Sequence, residues 1–334
     1  MANTSASLAN TYRTYYEKQL LQHAVKKLEF AQYGKPGQLL PKSGGKVIRY
    51  FRRVEASLTG TGAPAALTEG TPPANSRDIS YVPVDIPLGQ RGQTSTTTDV
   101  ADATGLLNFI NDSISLLGEE CALDADTIVR NQLHDLATGL QRRYAQGLAD
   151  FAAVAAATDS AGRLTPRDVL AASKQLFINR APKINGVYVC LVSPEVAYDI
   201  LNNAEWREVI RQNYAEKYFK GEIGDLLGTR IVEHNNAFVE KSDGAEGTYV
   251  DPEAGGNIFS TVVLGAEAFG VPDMKKLGGS PSKPTVIINN KPDKSDPLNQ
   301  KTIVGWKSYW GSAVLNKKYG QIIRSRTEFK RSAA

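Results

Sequence analysis

The sequence predicts an α+β fold whose body carries long extensions. Three features predict it. An apolar stripe of helical period runs from Thr104 to about Thr138. Two strand-like runs flank a stretch too poor in apolar residues to fold by itself. In the middle of the chain, helix starts alternate with apolar strand runs.

The elements follow in order. Residues 11–33 read as an amphipathic helix: Tyr12, Tyr16, Leu20, Leu21, Val25, Leu28 and Phe30 recur at three-to-four spacing, with Lys18, Lys26 and Lys27 between them. Gly34, Pro36 and Gly37 stop it, and the Gly/Pro/Lys-rich stretch 34–46 separates it from the rest, so it reads as an arm. Val47–Val54 (VIRYFRRV) is a strand by its β-branched and aromatic content. Residues 55–80, rich in Gly, Pro, Thr and Ala, cannot offset an ordering cost of roughly 1–2 kcal/mol per residue, and are expected to order only under another surface. Tyr81–Leu88 (YVPVDIPL) alternates like a strand, and Pro83 and Pro87 make it an edge strand. Together these runs form a long β-arm, with a further polar strand at 93–99.

The stripe of Leu106, Ile110, Ile114, Leu117, Cys121, Ala125, Ile128, Leu133 and Leu136 predicts one helix over 104–138, roughly 50 Å long. Gly118 within it is a bending point. An Ala-rich connection then runs to Gly162. Thr165-Pro166-Arg167-Asp168 starts a helix with Thr at the N-cap, Pro at the first position and a carboxylate in the first turn, and Ser193-Pro194-Glu195 repeats the device. Strands are expected at 187–192, 228–233 and 258–264, and a helix at 205–220, so 160–300 reads as an α/β subdomain. Residues 303–315 and 319–326 are expected to pair as a hairpin through Asn316-Lys317-Lys318.

Composition excludes several classes. The 334 residues are 41% hydrophobic and 22% charged, close to globular averages, so the chain is neither disordered nor fibrous. No run approaches the roughly 18 apolar residues of a membrane helix, and the start shows no secretory signal. Cys121 and Cys190 are the only thiols, which excludes a disulfide scaffold and an all-Cys zinc site. His23, His134 and His234 lie far apart, and no cofactor or metal is expected. Gly44-Gly45-Lys46-Val47 fails as a phosphate loop, no GxSxG elbow is present, and Glu119 and Glu120 point different ways on a helix. The chain is read as no enzyme. Its net charge of +4 is unevenly spread: residues 1–50 hold eight Lys/Arg against two Asp/Glu, residues 301–334 hold eight against one, and the stretch between is net acidic. Basic ends on an acidic body are expected to dock on acidic surface or to face a polyanion.

The order of parts resembles the major capsid proteins of tailed bacteriophages, the Hong Kong 97-type fold, and the motifs are nearest to the major capsid family of N4-like phages. The stretches that carry this are 67–73 (LTEGTPP), 116–120 (LLGEE), 193–199 (SPEVAYD), 219–225 (FKGEIGD) with 228–233 (GTRIVE), 263–270 (VLGAEAFG) and 304–307 (VGWK). The resemblance implies an N-terminal arm over 1–45, an extended hairpin called the E-loop with its flanking strands over 46–99, and a spine helix with the peripheral domain over 100–159. It implies an α/β axial domain over 160–300 and C-terminal strands of the peripheral domain over 301–334. Inter-subunit contacts are expected from Leu58, Leu67, Thr68, Glu69, Pro72 and Pro73 at the E-loop tip and from Tyr12, Tyr16, Leu20, Leu21 and Leu28 in the arm, with Gly118 as hinge.

The implied function is a structural one. Hexamers and pentamers of the chain would form the icosahedral shell of a virion, assembled in the host bacterial cytoplasm around double-stranded DNA that is contacted without reading bases. Implied partners are a portal, a decoration or cement protein and a scaffolding protein. About ten residues precede the arm helix, so scaffolding is expected to be a separate protein. No membrane is involved. Rival readings are an encapsulin-like compartment of the same fold, a cytosolic hydrolase with a dispersed site, and a DNA-binding module using the basic ends.

Overall fold

The computed structural model describes residues 20, 28–37, 47–54, 66, 69–71, 79–104, 109–204, 206–207, 225–226, 228–252, 256–272, 284–289, 297–298 and 300–330. The chain first supplies strands β1 (Lys35–Pro36), β2 (Val47–Arg53), β3 (Tyr81–Pro87) and β4 (Gly89–Thr98), then helices α1 (Asp99–Thr104) and α2 (Phe109–His134). Next come β5 (Gln141–Tyr144), α3 (Phe151–Ala156), α4 (Pro166–Ile178), β6 (Tyr188–Val192) and α5 (Pro194–Asn202). Strands β7 (Asp225–Leu226), β8 (Thr229–Glu233), β9 (Phe238–Lys241), β10 (Asn257–Leu264) and β11 (Phe269–Val271) follow. The described elements end with β12 (Thr285–Asn289), β13 (Lys301–Trp310), β14 (Ala313–Val314) and β15 (Gly320–Ser325).

Burial on both faces explains the apolar run at 188–192 and the largely apolar one at 258–264. The central sheet has the order β5-β15-β10-β6-β8-β7, with β9 also paired to β10. Successive residues of a strand point to opposite faces. Val189, Leu191, Val262, Leu264 and Ile322 therefore share one apolar cluster with Leu117, Cys121, Ala125, Val129 and Leu133 of α2. Tyr188, Cys190, Val192, Phe259, Val263 and Ile323 share another with Val169, Ala172 and Leu176 of α4 and Val196, Ala197 and Ile200 of α5. Strands β6 and β8 are parallel, as alternating helices and strands require, whereas β10 runs antiparallel to both β6 and β15. The sheet takes β5 and β15 from outside residues 160–300, so the boundaries expected at 160 and 300 do not divide it.

A second sheet, β12-β13-β4, lies against α2. Its β13–β4 ladder is ten residues long, from Lys301 opposite Thr98 to Trp310 opposite Gly89. Trp306 and Trp310 bury in the α2 cluster, and the Trp310 indole N–H donates to the Ala125 carbonyl at 3.1 Å. A third sheet, β1-β11-β14, and a two-stranded ribbon of β2 and β3 complete the described strands.

Three expectations are corrected. The long helix ends at His134, short of 138. Asp135 accepts from the N–H groups of Ala137 and Thr138, both at 2.7 Å, and Leu140 N–H reaches back to the Leu133 carbonyl at 2.9 Å. Gly139 is required there, because a Cβ would stand 2.3 Å from that carbonyl. Arg142 donates to the Asp135 carbonyl at 2.7 Å and Lys317 to that of Ala137, placing two cations at the negative end of the helix. Leu136, expected on the stripe, is exposed, and Leu106 lies outside the described residues.

Second, helix does not extend through residues 28–33. Leu20 is helical, but residues 28–30 are not, and Ala31–Tyr33 form a single 3-10 turn. The amide groups of Glu29, Phe30 and Ala31, which a continuing helix would spend on carbonyls four residues back, donate instead to Asp126. Third, β13 and β15 do not form a hairpin. β13 pairs with β12 and β4, whereas β15 pairs with β10 and β5. Gly311 passes so close to Pro87 that a Cβ would lie 2.2 Å from its carbonyl oxygen; the chain then pairs briefly with β11 as β14 before turning into the central sheet. β5 was not anticipated within the Ala-rich connection. The expected 205–220 helix lies outside the described residues except for Trp206 and Arg207.

Two clusters of buried charged and polar groups brace the sheet. Arg324, fully buried, bridges Glu240 and Glu246 and so fastens the connection after β9 to the sheet. His134 Nδ1 lies 2.7 Å from the Arg130 carbonyl, which can only accept, so Nδ1 carries the proton. Its ring stacks on Phe238 at 4.4 Å, and Arg130 sits 4.0 Å over the Tyr249 ring. Burial pushes the imidazole down from 6.5 to about 3. The unfolded chain takes up this proton below 6.5 and the folded chain does not, so stability present above pH 6.5 is lost as pH falls toward about 3. The slope is at most about 1.4 kcal/mol per pH unit. Denaturant titrations at pH 7.5, 6 and 5 should show wild type losing stability faster than His134→Phe. Parallel profiles would count against a neutral buried imidazole.

Candidate interaction surface: a projecting ribbon and its root

The ribbon is built from two seven-residue strands in the register Val47 opposite Pro87 through Arg53 opposite Tyr81, roughly 24 Å long. Directly opposed residues share a face, so its two faces differ. Ile48, Tyr50 and Ile86 lie on the inner face, and at the root Ile48, Ile86 and Leu88 bury with Tyr50, Tyr309 and Ala313. The Tyr50 hydroxyl donates toward the carbonyls of Lys35 at 3.0 Å and Val271 at 3.4 Å, tying the root to β1 and β11. On the outer face Arg49 grips Asp85 with two bonds of 2.6 and 2.7 Å.

Beyond the root nothing in the described chain covers the ribbon. Phe51 is 67% exposed, Tyr81 57% and Ile79 71%, and Val54 and Val82 are exposed beside them. Pro83 stands opposite Phe51, forming an open apolar pair. Arg52 and Arg53 lie at the same end. A two-stranded ribbon is marginal by itself in water, so an apolar outer half is a surface that favours a cover. Residues 55–78 connect the two strands at that end.

The residues singled out from sequence fall unevenly. Glu69 is exposed, in a turn with Gly70 at φ +77°. Leu58, Leu67, Thr68, Pro72, Pro73, Tyr12, Tyr16 and Leu21 lie outside the described residues. Leu20 is buried in the chain's own main cluster and Leu28 packs against it, so those two are occupied within the subunit. Gly118 is buried on the inner side of an unbroken α2.

Sequence reading missed the anchor of the amino-terminal segment. Asp126 sits on the buried face of α2 and accepts from the amides of Glu29, Phe30 at 3.3 Å and Ala31 at 2.9 Å. Burial pushes its carboxyl up to about 6, against the pull of those three donors. Glu29 is held from the other side: its carboxylate accepts from the amides of Asn235 at 3.4 Å and Asn236 at 3.3 Å and lies 3.6 Å from His234 Nδ1. Burial alone would raise the Glu29 carboxyl, but His234 and these amides bring it below its usual range. The available signal was an acid at a core position of the α2 stripe, between Ala125 and Val129.

The carboxyl end docks in a comparable way. Arg326 pairs with Asp159 at 3.0 Å, Arg163 with Glu328 at 2.9 Å, and the Glu328 amide donates to Asp199 at 3.2 Å. Arg326 of the carboxyl end thus meets an acid of the body, whereas in the Arg163–Glu328 pair the acid belongs to the end and the base to the body. Among the described residues no three His, Cys, Asp or Glu side chains group as a metal site, and no helix is long and apolar enough to cross a membrane. Cys121 and Cys190 are buried and free; burial pushes the Cys121 thiol up to about 12 and raises that of Cys190 as well.

No family profile matches the sequence, and no curated protein does. Solved structures do resemble the chain. The capsid structure of cyanophage P-SCSP1u aligns with a TM-score of 0.59 at 17% identity, covering 88% of this chain and 90% of that one. The capsid of Ralstonia phage GP4 aligns with a TM-score of 0.58 at 13% identity, covering 90% and 86%. A virus-like particle from Pyrococcus furiosus gives a TM-score of 0.50 at 11% identity, covering 93% and 99%. At these identities the likeness is one of fold: the chain shares the mixed α+β fold of these structures.

The root cluster is small, so its loss should act locally. Ile86→Ala should cost about 2–5 kcal/mol of ribbon stability. Amide exchange at 48–52 and 82–86 should then rise at least tenfold while exchange in β10 stays unchanged. Equal loosening of β10 would show that the ribbon is not a separate unit.

Proposed function

We propose that the chain is the major capsid protein of a tailed bacteriophage, a non-enzymatic subunit that self-assembles into the icosahedral head around double-stranded DNA. The observation that carries this reading is the ribbon, rooted firmly yet apolar and uncovered in its outer half. The shared fold supports it, as do the sequence motifs at 67–73, 193–199 and 263–270, which favour the N4-like branch.

In this reading the ribbon with residues 55–78 is the E-loop, and Leu58, Leu67, Thr68, Glu69, Pro72 and Pro73 contact a neighbouring subunit. α2 is the spine helix, with Gly118 as the point where it bends when the shell expands. The central sheet with α4 and α5 forms the axial domain, and Tyr12, Tyr16 and Leu21 extend the contacts of the amino-terminal arm. Each subunit makes several weak contacts at once, and linked contacts give avidity beyond any pair. The ribbon adds packing or strand pairing to its neighbour, a form of β-augmentation. Lys and Arg on the inner wall offset phosphate charge without reading sequence. A portal, a separate scaffolding protein and a decoration protein are the expected partners, in a virion assembled in the host cytoplasm.

A second reading, an encapsulin-like compartment with protein cargo, draws on the likeness to the virus-like particle. Nucleic acid inside purified particles would favour the first reading and a packaged enzyme the second.

Two results test the proposal. Deletion of residues 58–75 should abolish shells seen by electron microscopy while leaving a soluble, helical subunit; normal particles from that deletion would sink the ribbon's assignment. Phe51→Asp, a change at an exposed site, should leave the subunit's unfolding free energy within about 0.5 kcal/mol of wild type. It should nevertheless raise the concentration needed for assembly at least tenfold.

A further inference from the structure

We infer that Asp126 is a latch that sets the amino-terminal segment and the ribbon together, so that releasing one loosens the other. The geometry forms a continuous chain of contacts. Asp126, fixed on the buried face of α2, holds the amides of residues 29–31. Those residues lead through the 3-10 turn at Ala31–Tyr33 directly into β1, which pairs in parallel with β11, Lys35 opposite Gly270 and Pro36 opposite Val271. The Gly37 amide closes this stretch on the Val271 carbonyl at 2.7 Å. The ribbon root rests on that same seam, for the Tyr50 hydroxyl reaches the carbonyls of both Lys35 and Val271. The fit is close: a Cβ on Gly37 would lie 2.7 Å from the Tyr50 hydroxyl, and one on Gly270 would lie 2.9 Å from Ile86 Cδ1 and 3.0 Å from the Tyr50 ring.

The latch has two jaws. Asp126 takes the backbone of residues 29–31 from α2, and the turn at 234–236 takes the Glu29 side chain through His234 and two amides. Phe30 sits between them, buried and edge-on to His234 at 4.7 Å. Opening the segment would strip a buried carboxylate of its three donors, so the site is stable only closed or fully released; intermediate positions leave unpaired buried polar groups. A packed two-position element of this kind is what carries coupling between separated sites. Asp126 acts on the ribbon only through the seam of β1 with β11, and is in that sense a positioning residue.

The test is amide exchange on the full chain, followed in residues 29–37, in the ribbon and in β10. Asp126→Ala should speed exchange in 29–37 roughly tenfold or more and speed exchange in 48–52 and 82–86 with it, leaving β10 unchanged. Tyr50→Phe removes only the hydroxyl; it should loosen the ribbon most, and 29–37 less than Asp126→Ala does, because the bond to Lys35 is shared by both segments. In the double variant Asp126→Ala should add less to ribbon exchange than it does in the wild-type background, because part of the shared seam is already lost. If Asp126→Ala does not fold, Asp126→Asn, which keeps one acceptor oxygen in the same volume, is read in the same way. A ribbon that exchanges at the wild-type rate while 29–37 loosens overturns the coupling. So does equal loosening of β10, which would mean that Asp126 merely supports the whole fold. Because the readout is exchange within the subunit, it stands or falls separately from shell formation.

Discussion

Burial on both faces of the central sheet is the constraint from which the rest follows. β6, β10 and β15 have no polar face to turn to water, so α2 must cover one side and α4 with α5 the other. That requirement explains why β5 and β15 are drawn in from either side of the 160–300 stretch, and why α2 buries its stripe among strands from three sheets. It also sets where charge is tolerable. Arg324 can lie fully buried only because Glu240 and Glu246 meet it there; burial raises the Glu240 carboxyl while Arg324 pulls it down. The ribbon, the amino-terminal segment and the carboxyl tail hang on this body through short seams, each built around a few buried residues.

How much of this was legible depends on where each signal resides. Runs such as Tyr188–Val192 and Asn257–Leu264 identify themselves, because burial on both faces removes polar alternation. The start of α4 was legible too, since capping is local: the Thr165 amide and hydroxyl both donate to Asp168, at 3.0 and 2.6 Å. Ser193 marked the start of α5 correctly, yet its side chain makes no cap bond, so Pro194 carried that signal. β5, with the sequence QRRY, has no apolar period; it is a strand because β15 offers it a parallel edge. The expected hairpin failed for a related reason. Two strand-like runs with a turn between them look alike whether they pair with each other or with separate partners, and the choice of partner is tertiary.

The anchor at Asp126 shows the same limit from the polar side. Periodicity placed the residue on the inner face of a helix but could not say what it would hold, because its partners lie about a hundred residues earlier in the chain. Those partners are main-chain amides, which carry no residue-type signature. The hydrogen bonds that keep residues 29–31 out of a helix and those that fasten them to the body are the same ones. The ribbon was legible as an edge structure, but its separation into an anchored root and an open outer half depended on Tyr309, Ala313 and the seam of β1 with β11.

The prolines of the ribbon give its two margins unlike character. Pro83 and Pro87 sit in β3 opposite Phe51 and Val47, and a residue without an N–H is accommodated only where its nitrogen faces away from the partner strand. The free margin of β3 therefore lacks donors at those two positions, while the free margin of β2 contains no proline. An incoming strand finds an uninterrupted row of donors on one side only. Such a ribbon cannot stack margin to margin in both directions, so strand addition is directional and an endless sheet is disfavoured from the outset.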